Sequence, residues 1–135
     1  AVDSLLQTEG EWTLPEWVGD ELNKMSHRTY STGFYFGRPE NAQTYENAGY
    51  IRDYAIAAIV DGYEDGCIVA TLKNKFASGT MLDCLEAGSI PFNIDTTVLY
   101  DEKGKQIESA YQPMSKIKIP FDREVKVGSM LRMKV

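Results

Sequence analysis

Apolar positions recur at two different spacings along this chain, and the change falls near Tyr54. Before it, Leu14, Trp17, Val18, Leu22 and Met25 return at helical spacing and share one face. Thr13 followed by Leu14-Pro15-Glu16 reads as a helix start: a hydroxyl able to accept an orphan N–H, proline in the first turn, and an acid at the positive end of the dipole. The pattern predicts one amphipathic helix from Thr13 to about Met25, with residues 1–12 as a frayed tail. Gly19 weakens that helix from within, so its apolar stripe needs a partner.

From Tyr54 onward the period is two. "YAIAAIV" and "CIVATLKN" predict a hairpin across a turn from Asp61 to Gly66. "FNIDTTVLY" predicts one strand with Phe92, Ile94, Val98 and Tyr100 on one side and Asn93, Asp95 and Thr97 on the other. The "DEKGK" turn then leads to a short strand around Ile107. "KIKIPF" places Ile117, Ile119 and Phe121 inward and Lys116 and Lys118 outward, and "MLRMKV" places Leu131, Met133 and Val135 inward and Arg132 and Lys134 outward. Six or seven short strands with frequent turns predict a barrel or sandwich. "GTML" at Gly79–Leu82 returns as "GSML" at Gly128–Leu131, each read as a glycine turn whose Thr80 or Ser129 hydroxyl bonds local backbone where a strand of a closed sheet begins.

Between the two regimes lies "SHRTYSTGFYFG", Ser26 to Gly37, followed by the polar loop "GRPENAQTYENAG". From Tyr30 to Tyr54 the chain carries Tyr30, Phe34, Tyr35, Phe36, Tyr45, Tyr50 and Tyr54. That much ring area predicts a packed seam at a domain junction in place of a free linker.

At 135 residues and 43% hydrophobic, the chain has enough material for one domain with an appendage. Its longest apolar run, Ala55 to Val60, is far short of the roughly 20 residues a membrane helix needs. The net charge of −6 is uneven: residues 1–70 carry 12 acids and 4 bases, and residues 71–135 carry 8 acids and 10 bases. A polyanionic partner is therefore disfavoured for the whole chain and open for its second half. Cys67 and Cys84 have neither a CxxC spacing nor a histidine neighbour, which predicts reduced thiols and a cytoplasmic setting. The opening "AVDSLL", without an initiator methionine, reads as a piece of something longer.

Little self-contained chemistry is legible. His27 beside Ser26 suggests a nucleophile and base, but neighbouring side chains rarely face each other, so an interface role for His27 and Arg28 is preferred. Asp61, Glu64 and Asp65 lack the spacing of a calcium loop and read as a solvated turn. No phosphate-cradling glycine loop, paired catalytic carboxylates or HExxH occurs, so no catalytic residue, metal ligand or cofactor is assigned. If their strands lie close, Lys116, Lys118, Arg132 and Lys134, joined by Lys73 and Lys75, form a basic outer surface for a nucleic acid or other substrate. Outward lysines that guard strand edges are the competing reading.

The order and spacing of "SHRTYSTGFYFG", a polar loop with Gln43 and Tyr45, "YIRDYAIAAIV", "NKFASG" and "VKVGSMLR" resemble the C-terminal part of the collagenase-like peptidase family U32. Ser26-His27-Arg28 with Tyr30, Thr32 and Gly33 to Gly37 is the most specific part. The resemblance implies that residues 1–25 close a preceding catalytic domain, that 26–53 form an aromatic junction, and that 54–135 form a small closed antiparallel β-barrel like the second domain of translation elongation factors. It implies junction contacts from His27, Arg28, Tyr30, Phe34, Tyr35, Phe36 and Arg52 to that N-terminal domain. It also implies a non-catalytic module for substrate recognition or domain positioning in a peptidase, with no cofactor of its own. The alternatives are a tRNA-binding module of a uridine-hydroxylating, tRNA-modifying relative, with tRNA in place of peptide as partner, and a purely structural support. Where the family's turns read Gly-Asp, this chain has Gly79-Thr80 and Gly128-Ser129.

Overall fold

The computed structural model describes residues 2–28, 30, 34–37 and 50–135, in two compact units spanning 1–53 and 54–135. Gln43, Tyr45 and the rest of the 38–49 loop lie outside the described residues, as do Thr32 and Gly33 of the junction motif.

In the first unit, helix α1 spans Val2–Gln7, where the sequence pattern suggested a tail. Asp3 sits in its first turn, at the positive end of the helix dipole. The Thr8 hydroxyl donates to the Ser4 carbonyl at 2.8 Å and the Trp12 indole N–H donates to the Ser4 hydroxyl at 3.1 Å, which close the turn. Helix α2 spans Glu16–Lys24 and so starts later than Thr13. The reason is local: Leu14 precedes a proline, which disfavours helical dihedrals at Leu14, and Pro15 at φ −57° and ψ 136° becomes the cap residue. Leu14, Trp17, Leu22 and Met25 are exposed, and α2 buries none of its residues. Among the described residues no helix is long and apolar enough to cross a membrane.

The second unit is antiparallel β throughout. Its strands are β1 Tyr54–Glu64, β2 Cys67–Leu72, β3 Phe76–Ala77, β4 Leu82–Leu85, β5 Phe92–Ile94, β6 Leu99–Asp101, β7 Gln106–Ile107, β8 Ser109–Ala110, β9 Lys116–Pro120 and β10 Met130–Lys134. Eight of them form one sheet in the order β5-β4-β10-β1-β2-β9-β6-β7, and β3 pairs with β8. The ladder does not close on itself, so the expected closed barrel is an open, curled sheet whose edges are β5 and β7. At the gap, β8 follows β7 closely and pairs with β3, while Gly79 N–H donates to the Thr96 carbonyl at 3.0 Å just past β5. The short β3–β8 ladder thus stands at the gap, and no ladder joins β5 to β7.

The curl has a visible source in β1, which carries register shifts between Ile56 and Ala58 and between Val60 and Gly62. An extra residue on one strand bends it and raises its twist. The Ala57 carbonyl at the first bulge accepts from Lys73 and Asn74 N–H groups at 2.8 and 3.1 Å, and the Asn74 amide donates to the Ile56 carbonyl at 2.8 Å. The β1–β2 hairpin forms as expected, but Asp61 and Glu64 belong to β1, and the turn shrinks to Asp65-Gly66. Both turn residues have positive φ, 50° and 76°, as a two-residue type I′ turn requires.

Ile68, Leu72, Leu82, Ile94, Leu99, Ile117, Ile119 and Leu131 fill the core. The single strand expected over "FNIDTTVLY" is two. Phe92, Ile94 and Thr96 keep inward parity, and then the Asp95 carboxylate accepts the N–H and hydroxyl of Thr97 at 2.9 and 2.6 Å. That local turn resets the alternation, so Leu99 is buried where Val98 was expected. Gly79 and Gly128 both turn with positive φ, 82° and 86°, ahead of β4 and β10. The hydroxyl expectation fails at Ser129, which shares the inward side with Leu131; its Oγ is buried without a hydrogen-bond partner.

Candidate binding groove and its charged neighbours

The junction residues are placed in the first unit as a set of ring and backbone contacts. His27 and Ile51 exchange backbone hydrogen bonds at 3.2 and 2.7 Å. The His27 Nδ1 donates to the Met25 carbonyl at 2.7 Å, and its ring stacks on Tyr30 with centroids 4.3 Å apart. The Tyr30 hydroxyl donates to the Leu22 carbonyl at 2.8 Å, which ties this segment to the end of α2. The Arg28 guanidinium lies 5.3 Å from the centroid of Tyr50. Tyr35 and Phe36 meet edge to face at 5.0 Å, and with Phe34 they are exposed, as is Arg52.

The basic positions of the second unit do not gather on one surface. The strand order puts β1 and β2 between β9 and β10, so Lys116 and Lys118 are three strand spacings, about 14 Å, from Arg132 and Lys134. Arg132 is not an outer cation at all: it is 4% exposed and ion-paired to Asp83 on the neighbouring strand β4. Its guanidinium also lies 6.0 Å from the centroid of Tyr54. Lys134 is exposed at the end of β10, and Lys118 is half-buried beside Tyr100 in the register of β6.

Lys116 is the hub of a different arrangement. Its ammonium donates to the Asp61 carboxylate at 2.7 Å and to the Thr71 hydroxyl at 2.8 Å, while Thr71 donates to Asp61 at 2.6 Å. These three groups come from β9, β1 and β2, and Asp61 stands at the second bulge of β1. Burial alone would raise the Asp61 carboxyl, but hydrogen bonds from Lys116 and Thr71, with the charges of Lys116 and Lys73, hold it below its ordinary range. A carboxylate held low is a poor base for a hydroxyl, so the triangle fixes three strands and does not activate Thr71.

Beside Lys116 opens a groove of about 290 Å³. Buried Ala110 and Ile117 and half-buried Ile107 form its apolar floor, and Lys103, Ser109, Tyr111, Gln112, Ser115 and Lys116 rise around it. One rim is the Gln112-Pro113-Met114-Ser115 turn, in which Ser115 N–H and hydroxyl both donate to the Gln112 carbonyl at 3.2 and 2.7 Å. Met114 holds φ 66° at the position where such a turn normally takes glycine. The Leu72 carbonyl and N–H lock this turn through Met114 N–H and the Ser115 carbonyl, both at 2.9 Å. The opposite rim is the β6–β7 turn, where the Asp101 carboxylate accepts the Lys103 and Lys105 N–H groups at 2.9 and 2.8 Å. Lys73 donates to the Met114 thioether at 3.4 Å, a weak acceptor. Among the described residues Lys73, Lys75 and Lys103 make no ion pair. Sequence reasoning named Lys73, Lys75 and Lys116 and missed Lys103 and Tyr111; the Pro-Met pair just after Tyr111 was the available signal for a presented turn.

Elsewhere the titratable groups are structural. The Lys126 N–H donates to Glu86 at 2.9 Å, and although burial opposes this, Arg123 assists and the carboxyl stays below its ordinary range. Arg123 also stacks over Phe92, 4.1 Å from the centroid, and Phe92 stacks on Phe121. Burial, with the charges of Glu86 and Asp83 outweighing those of Arg123 and Arg132, pushes the Cys84 thiol up to about 12. A buried thiol of that kind is inert. Among the described residues no three His, Cys, Asp or Glu side chains gather as metal ligands.

Residues 52–132 match the peptidase family U32 C-terminal domain. Over 120 residues the chain is 24% identical to tRNA hydroxylation protein P1 of Bacillus subtilis (strain 168), covering 87% of this chain and 28% of that relative. The chain thus spans little more than a quarter of the relative's length. Two solved structures of the C-terminal domain of a Geobacillus thermoleovorans protein described as a U32 peptidase share the fold at 23% identity. The selenomethionine form has a TM-score of 0.52 and covers 58% of this chain and 98% of that one. The other has a TM-score of 0.53 and covers 59% and 92%. The match over 52–132 takes in the whole sheet from β1 to the middle of β10, and by it the chain belongs to peptidase family U32 through that family's C-terminal domain.

Proposed function

We propose that residues 54–135 are an accessory domain of a larger U32 protein, contacting substrate while residues outside this chain carry the chemistry. The observation that carries this reading is the match to a domain defined as C-terminal, in a chain that spans 28% of its curated relative. The local chemistry supports it. Thr71, a hydroxyl held between a lysine and a carboxylate, has a poor base beside it, and in the groove next to it the Ser115 hydroxyl is spent on the Gln112 carbonyl. Residues 1–53 supply the surface for the N-terminal domain, through exposed Phe34, Tyr35 and Phe36 and the His27–Tyr30 stack. The protein works in the cytoplasm, in keeping with its unpaired cysteines. The test is turnover by the 135-residue chain itself on gelatin peptides and on tRNA. The expected result is none, and cleavage or modification by the purified chain would overturn the reading.

A second reading, that the substrate contacted is tRNA and not peptide, is favoured by one observation: the curated relative is a tRNA hydroxylation protein. On this reading the second unit touches RNA through Lys73, Lys75 and Lys103, which make no ion pair among the described residues. It predicts binding of tRNA that falls steeply with salt.

A further inference from the structure

We infer that the groove between Tyr111 and Lys103 holds a single unpaired nucleotide of RNA, with its base stacked on Tyr111 and its phosphate met by Lys103, Lys116 and Lys73; this rests on the second reading above. Tyr111 is 74% exposed at the rim, although it follows the buried Ala110 and precedes a turn pinned by four backbone hydrogen bonds or hydroxyl contacts. A ring held out into solvent by a rigid turn gives a base a stacking face without ordering a flexible loop. The adjoining Met114, 65% exposed, occupies a left-handed position that glycine would fill with less strain, so the turn keeps a large side chain on show at a local cost.

The charges around the ring fit a phosphate. Lys116 has three donors and spends two on Asp61 and Thr71, which leaves one N–H directed by a fixed frame. Lys73 stands outside the groove lining and reaches the thioether of Met114 in the rim turn, and Lys103 makes no ion pair among the described residues. On the acidic side, Asp101 is occupied by two backbone N–H groups of its own turn, whereas Glu102 lines the groove and opposes an anion. The volume, about 290 Å³, suits one base on its sugar and not a duplex. A peptide added to the sheet edge fits less well. Strand β7 offers two residues, and the chain then turns away into β8 to pair with β3.

The experiment measures fluorescence anisotropy of the 135-residue chain with a labelled single-stranded RNA of about 12 nucleotides and a duplex RNA of equal length. Single strand should bind more tightly than duplex. Y111A should weaken it about tenfold with the salt slope unchanged, while Y111F retains most of the affinity. K73Q and K103Q should each lower the slope of log K against log salt by about 0.7, and E102Q should tighten binding. Melting temperatures of these surface variants should match the parent chain, which separates a lost contact from a lost fold. If the chain binds RNA and Y111A binds as well as the original, the groove assignment fails and the tRNA reading survives. If the chain binds no RNA even at low salt, or binds gelatin peptides in a Tyr111-dependent way, both fail.

Discussion

Arg132 and Lys116 each alternate with a core side chain on their strands, Leu131 and Ile117, yet one is buried against Asp83 and the other reaches Asp61 from a half-exposed position. The difference lies in what each charge has lost. A buried guanidinium paired to a carboxylate leaves an uncompensated charge behind when either partner is removed. R132M should therefore destabilise the second unit by about 3 kcal/mol, and D83L together with R132M should recover most of it. Denaturant midpoints at unchanged m-value read both; a loss under about 1 kcal/mol for R132M would contradict the buried pairing. The depressed carboxyls give a second handle. Glu86 and Asp61 titrate lower in the folded chain than in the unfolded one, so their contribution is complete above about pH 5 and drains away as pH falls through their lowered values. E86Q keeps an oxygen for the Lys126 N–H but cannot ionise, so acid unfolding should become less steep in that variant. An acid limb unchanged by E86Q would remove Glu86 from the account.

At the scale of elements, the β4–β5 pairing runs on in the same register beyond its strands, and Thr96 makes one of its last bonds. Its hydroxyl donates to the Thr80 carbonyl at 2.6 Å, where the turn at Gly79 meets the end of β5. T96V keeps the shape and should cost about 1 to 2 kcal/mol. Amide exchange should speed up around residues 78–82 and 94–97 and leave β1 and β2 protected. Uniform acceleration across the sheet would mean that this end of the β4–β5 pairing is not a separate, weaker region. Period-two patterning made β1, β2, β9 and β10 legible in the sequence, and the glycine turns before β4 and β10 were legible as well. Hidden from it were features set by side chains acting on local backbone, such as the parity reset at Asp95 and the displacement of the α2 start by Pro15. Strand order was hidden too. Asp83 is 49 residues from Arg132, and nothing in either local pattern says that β4 and β10 pair while β9 and β10 stand apart. That is why a basic face spanning both strands could be imagined and the groove beside Tyr111 could not.

For the whole molecule, the charge asymmetry changes meaning once the boundary is placed by structure. Residues 1–53 carry 9 acids and 4 bases, a net of −5, and residues 54–135 carry 11 acids and 10 bases, a net of −1. The excess of positive charge expected for the second half came from counting Asp61, Glu64 and Asp65 with the first half, although they belong to β1 and its turn. On the tRNA reading, a net charge of −1 leaves contact with an anion to placed lysines and not to a general field. If this unit contacts substrate and performs no chemistry, its removal should weaken substrate binding and spare the chemical step. Steady-state kinetics of a longer U32 protein containing this region, with and without residues 54–135, test it most directly. The expected result is a KM raised tenfold or more, about 1.4 kcal/mol of binding, with kcat nearly unchanged. A kcat abolished in a deletion variant that remains folded, or a KM that does not move, would contradict it.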